Sequence, residues 1–275
     1  MSIPLNSKGV TNAVESIARR TPLLRAPELS DQLGRPVWLK AECLQVTGSF
    51  KVRGAAARLS ALNDQERMRG VVSCSSGNHG RAVAYVAQKL GIPVSVCVPE
   101  WVDPVKLEGI KRDGAEAVLV GSTFDEAESH ALELSERTGR TYISAYDDPW
   151  VIAGQGTIAL EILEQLGESP AAILSPLSGG GLLGGIASAF AERIGDQSCR
   201  AVGVSAEKAA VMLASVKAGH PIELAEKKTL ASALAGGIGL KNQHSFKLIK
   251  DLVREHVTVT EEQISDAMRY CATAL

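Results

Sequence analysis

The stretch GVVSCSSGNHGRAVAYVAQKLGIPVSVCVP, residues 70–99, carries the pattern from which the rest of the chain is read. Residues 70–76 form a short apolar run and predict a strand. Residues 77–91 have helical patterning that closes on Gly91, and residues 93–99 form a second strand. A strand, a helix and another strand in one short span are the repeating unit of a parallel sheet with helices laid over it. Between the first strand and its helix stand Ser75, Ser76, Gly77, Asn78, His79 and Gly80. They offer hydroxyls, an amide, an imidazole and the free N–H groups of a helix start, which suit a carboxylate or another oxygen anion. The plainer alternative is that Ser76 or Asn78 simply caps the helix.

Outward from this stretch the same alternation continues. RPVWLKAE at 35–42 reads as a strand, and SFKVRGAAARLSAL at 49–62 as the helix after it. Downstream come the helix 104–114, the strand 116–121, the helix 123–139 and the strand 141–146. The second half repeats the scheme with helices at 153–167 and 179–195 and strands at 171–177 and 201–206. A helix from Ser245, the strand VTVT and a last helix follow, with Thr260 and Gln263 at capping-box spacing. This length of alternation predicts a doubly wound α/β architecture with parallel sheets flanked by helices. The chain is expected to cross between two domains near Gly70 and again near Tyr146.

Composition narrows the class. Of 275 residues, 45% are hydrophobic but only 4% aromatic, so Ala, Val, Ile and Leu must build the core. A net charge of -2 leaves no footprint for nucleic acid or an anionic membrane surface. The five cysteines are scattered with no CxxC pair, which points to a reducing compartment. No apolar run approaches membrane-spanning length. A soluble cytoplasmic protein is expected.

Two further motifs carry chemistry. Ser178, Gly179, Gly180 and Gly181 lie at a strand end before an apolar helix, where backbone N–H groups and the helix N-terminus can hold a phosphate. The alternative is a glycine turn serving close packing alone. Gly179, Gly181 and Gly184 also satisfy G-x-G-x-x-G, with Glu207 about twenty residues on, so a nicotinamide-dependent oxidoreductase remains a competitor. Against it, the fingerprint is weak alone, and Glu207 falls two residues past AVGVS at 201–205 rather than at the last position of that strand. Gln155, between Gly154 and Gly156, is expected at a helix start, where its amide could donate to a ligand. Gly236, Gly237 and Gly239 mark a close-approach turn.

TGSFKVRGA at 47–55, SSGNHG at 75–80, VIAGQGTIALEI at 151–162 and SGGGLLGG at 178–185 form an ordered set, preceded by RRTPLLRAPELS at 19–30. With these motifs the chain resembles the fold-type II pyridoxal-phosphate enzymes, tryptophan synthase β-like in fold, in the branch of threonine/serine dehydratases and serine racemases. The resemblance implies a large cofactor-binding domain of 1–69 plus 147–275 and a small domain of 70–146. It implies that Lys51 forms the Schiff base with pyridoxal 5'-phosphate, that Phe50 packs beside the pyridine ring and that Asn78 bonds its 3'-oxygen. Gly179, Gly180, Gly181 and Leu182 would hold the phosphate. Ser75, Gly77, His79 and Gln155 lie where the family binds the substrate carboxylate, and Ser76 where racemases keep an acid/base on the face opposite the lysine.

The physics of Lys51 agrees. An exposed lysine, with a pKa of about 10.4, is rarely an unprotonated nucleophile. Burial among Phe50, Ala55 and Ala56 would lower that value, and Arg53 would add repulsion if it lies close. The expected reaction removes water and ammonia from a small β-hydroxy amino acid. A serine or threonine racemase and a non-catalytic cofactor-binding protein remain alternatives. The stretch VGVSAEKAA, with SALAGGIGL, is similar to dehydratase-like proteins of hydroxyectoine breakdown, which would make the substrate an osmolyte-derived amino acid. Ser205 stands where many relatives keep a metal-binding glutamate, so no metal is expected. Relatives normally continue into a strand whose Ser, Thr or Cys meets the pyridine nitrogen, and no residue of this chain is assigned that role. A homodimer is the family expectation.

Overall fold

The computed structural model describes residues 3–5, 7–195 and 199–274. Its strands, in chain order, are β1 (Leu23–Arg25), β2 (Trp38–Lys40), β3 (Val71–Cys74), β4 (Val94–Val98), β5 (Glu116–Leu119), β6 (Thr141–Tyr142), β7 (Ala172–Pro176), β8 (Arg200–Ala206) and β9 (Glu255–Val259). They form a two-stranded antiparallel pair and two parallel sheets, a mixed α/β architecture. The chain divides into two units, Met1–Arg19 with Cys43–Gln155, and Arg20–Glu42 with Gly156–Leu275. This division follows packing density. The segment 70–146, expected as a small domain, lies wholly within the first unit.

In the first unit four parallel strands run in the order β5-β4-β3-β6, with Val71 opposite Val94 and Thr141. Every residue of β3 and β4 is buried, as parallel strands covered on both faces must be. The helix Asn78–Leu90 leaves β3 and stops before Gly91, whose φ of 67° lets it close the last turn. Helix Lys51–Ser60 packs on Asn78–Leu90. The facing residues are small, with Ala55, Ala56, Ala82 and Ala84 fully buried.

The second unit holds β1 and β2, paired antiparallel with Leu23 opposite Lys40, and the parallel sheet β7-β8-β9. The expected strand at 35–42 is therefore only three residues long and antiparallel, and it is preceded by helix Pro27–Leu33, which the alternating pattern did not predict. Lys40, with only 7% of its side chain exposed, pairs with Glu161 at 2.5 Å and donates to the Thr21 carbonyl at 2.7 Å. Helix Gly181–Ile194 follows β7, and its Leu183 joins Leu177, Met212, Ile238 and Ile249 in the core. Thr260 and Gln263 exchange side-chain-to-backbone bonds at the head of helix Glu261–Ala274, a complete capping box.

Candidate active site

Lys51 is the first residue of its helix, and Phe50 occupies the N-cap without a side-chain cap bond. The residue as a whole is half-buried, but its amine end is turned out of water. Nζ donates to the Ala145 carbonyl at 2.7 Å and lies 5.2 Å from the centre of the Phe50 ring. Burial lowers its pKa to about 8. The lowering needs no help from Arg53. That guanidinium is fully buried and reaches the Arg19 carbonyl at 3.4 Å, so the expected like-charge repulsion is not the cause.

Around this lysine the first unit keeps polar atoms in reserve. Thr47 Oγ1, Ser49 Oγ, His79 Nδ1 and both amide atoms of Gln155 are buried without a hydrogen-bond partner. Each would cost about 1–3 kcal/mol if it stayed unpaired, so the arrangement calls for a bound molecule or water.

Gln155 is not at a helix start. The helix runs Pro149–Leu166, begun by Asp148, whose Oδ1 accepts from the amides of Trp150 at 2.8 Å and Val151 at 3.0 Å. Pro149 takes the first position, where its missing N–H is harmless. The glycines beside Gln155 therefore serve packing. A Cβ on Gly154 would stand 2.8 Å from the Gly54 Cα, and one on Gly54 would collide with the Gln155 amide. Gln155 thus presses against the helix that Lys51 begins.

The serine–asparagine loop connects β3 to its helix. Ser75, Ser76 and Gly77 are half-buried, Asn78 is exposed and His79 is buried. The helix takes Gly77 as its N-cap and has no side-chain cap, so neither Ser76 nor Asn78 is consumed by capping. Ser75 Oγ accepts from the Gly77 amide at 3.2 Å. His79 Nε2 meets the Ile143 carbonyl at 3.0 Å. Burial, with the nearby Lys51 charge, drives its pKa down to about 3, so the ring is neutral.

In the second unit the glycine loop has the form of an anion cradle. Gly180 is the N-cap of helix Gly181–Ile194 at φ 84°, and a Cβ there would stand 2.8 Å from Met212 Cε. Gly184 N is already bonded to Gly180 O at 2.8 Å, while the amides of Gly181 and Leu182 precede the first intrahelical bond. Gly184 packs on Leu248, 3.2 Å from a Cβ built there. Strand β8 runs to Ala206, so Glu207 directly follows it and opens a short 3-10 turn. Ser205 spends its hydroxyl on the Leu177 carbonyl at 2.8 Å.

Lys51, Phe50, Ser75, Ser76, Gly77, Asn78, His79 and Gln155 all belong to the first unit, and Gly179, Gly180, Gly181 and Leu182 to the second. Sequence reasoning missed the carbonyls of Ile143 and Ala145 and the hydroxyls of Thr47 and Ser49. The hydroxyls stood inside a recognised motif. The carbonyls could not be found, because every residue has one.

The family described as pyridoxal-phosphate dependent enzyme matches residues 14–274. An L-threonine ammonia-lyase of Thermotoga maritima is 38% identical over 263 residues, 96% of this chain and 64% of that enzyme. The processed threonine deaminase isoform 2 of Solanum lycopersicum superposes with a TM-score of 0.89 at 34% identity, over all of this chain and 82% of that one. Maize serine racemase gives 0.90 at 31% identity, over 98% of this chain and 81% of the other.

Proposed function

From a chain that belongs to the pyridoxal-phosphate dependent enzyme family, we infer a lyase that removes water and ammonia from a small β-hydroxy amino acid such as L-threonine or L-serine. The cofactor is pyridoxal 5'-phosphate, and the side chains fit it. A desolvated amine suits its aldehyde, the Gly179–Leu182 amides suit its phosphate, and unpaired buried polar atoms beside Lys51 await a ligand. When bound, it supplies an electron sink for the charge that develops at the substrate Cα.

The rest falls to the chain. Lys51 is the amine that would hold the cofactor, and its free amine would be the base that takes the Cα proton. With a pKa near 8 it is a base that is free in useful amount at neutral pH. Phe50 flanks the lysine and shields it from water. Ser75, Gly77 and His79 line the place where the carboxylate is oriented, with Gln155 placed to assist. Ser76 is assigned the opposite face, where it can return a proton. The resemblance to maize serine racemase favours racemisation as a second activity. Segment 70–146 acts as the small domain, a reading supported by β3 to β6 all lying within it. A homodimer completes the proposal, with a β-hydroxy amino acid from osmolyte breakdown as the alternative substrate.

The amine geometry of Lys51 carries this reading. Borohydride trapping of the cofactor-loaded protein, followed by peptide mass spectrometry, should place the adduct on residue 51. Ammonia release from L-threonine should vanish in Lys51→Ala. Ser76→Ala should lose racemisation more than elimination. An adduct elsewhere, or ammonia release that survives Lys51→Ala, defeats the assignment.

A further inference from the structure

We propose that His79 is a positioning residue: its imidazole ties the serine–asparagine loop to the exit of β6 and does not itself meet the substrate carboxylate. The inference rests on the lyase reading and refines how its substrate is held.

The hydrogen-bond directions decide the ring's state. The Ile143 carbonyl can only accept, so Nε2, 3.0 Å away, carries the hydrogen. The ring is buried and neutral, which leaves Nδ1 as a bare lone pair. That atom is buried and has no partner. A lone pair repels a carboxylate oxygen, so this side of the ring can accept only from a donor. The carboxylate needs donors, and these stand close by. Arg81 N is bonded to the Gly77 carbonyl at 3.3 Å, so the helix leaves the amides of Asn78, His79 and Gly80 uncommitted at its positive end.

The acceptor is itself firmly held. Ile143 N donates to the Val72 carbonyl at 2.9 Å, and Ser73 Oγ donates to the same Ile143 carbonyl at 3.0 Å. Two residues on, the Ala145 carbonyl takes Lys51 Nζ at 2.7 Å. One short segment, Ile143 to Ala145, therefore seats both the loop, through His79, and the amine, through Lys51. The ring keeps the carboxylate-binding amides in register with the base.

The test compares His79→Gln, which can place an N–H where Nε2–H stands, with His79→Phe, which cannot. Cofactor-loaded proteins are assayed for ammonia release from L-serine and L-threonine, and for the Kd of glycine read from the cofactor absorbance. Loss of one neutral hydrogen bond should raise KM and the glycine Kd about ten-fold in His79→Phe, with kcat within about three-fold. His79→Gln should stay within about three-fold of the parent in all three. The pH profile of kcat/KM between 5.5 and 7.5 should keep its shape in every variant. A parent-like KM and Kd in His79→Phe would overturn the proposal. So would a folded His79→Gln with a raised Kd, or an acid limb that vanishes with the imidazole. If the parent releases no ammonia, the lyase reading fails, and the glycine series still judges His79.

Discussion

Replacing Lys51 by methionine in the cofactor-free protein probes the amine's burial as an energy. The folded chain holds this amine at a pKa of about 8 against an ordinary value of 10.5. Between those values the unfolded chain binds the extra proton, so stability should rise as pH climbs from 8 towards 10.5. Below pH 8 the cost is fully present, and the displacement corresponds to at most about 3 kcal/mol at pH 7. Methionine keeps the length and removes the charge. It also leaves the Ala145 carbonyl without its 2.7 Å hydrogen bond, a loss of about 1 kcal/mol. The variant should therefore exceed the parent by about 2 kcal/mol at pH 7, with the advantage gone by pH 10. Urea denaturation of both cofactor-free proteins at pH 7 and pH 10 measures this. Equal stability at pH 7, or a gap that does not narrow with pH, would refute a strained ammonium at this site.

Two other perturbations address the second unit. Gly180→Ala forces a side chain into a left-handed backbone at φ 84° and against Met212 Cε. It should cost about 2 kcal/mol in urea denaturation and weaken cofactor binding by spectroscopic titration, while any cofactor that does bind stays attached to Lys51. Lys40→Ala removes the ammonium 2.5 Å from Glu161, which has 14% of its side chain exposed, and should destabilise by about 3–5 kcal/mol. Adding Glu161→Gln should recover part of that loss. No recovery would show that the pair contributes through packing instead.

Much of the molecule was legible in local patterns. The run 70–99 reads correctly as strand, helix and strand because each element's period and its closing Gly91 are written within a few residues. Thr260 and Gln263 read correctly for the same reason, since a capping box closes over three positions. The antiparallel pair β1 and β2 was harder. Three-residue strands such as β1 and β2 bury too little to show a period. At Gln155 the local signal misled. Flanking glycines suggested a helix start, but tertiary packing carries the helix straight through them, because an approach as close as that of Gly154 to Gly54 tolerates no side chain.

What the amino-acid order determined by itself was the α/β alternation, the family motifs in sequence and the placing of Lys51 among small and apolar neighbours. Only the tertiary structure decided that this amine rests on Ala145, 94 residues along the chain, that His79 turns its N–H to Ile143, and that Gln155 lies buried with an unpaired amide. The reason is physical. Helix and strand preferences act between near neighbours, whereas a hydrogen bond to a backbone carbonyl can be made at any residue, and the folded chain alone selects which one.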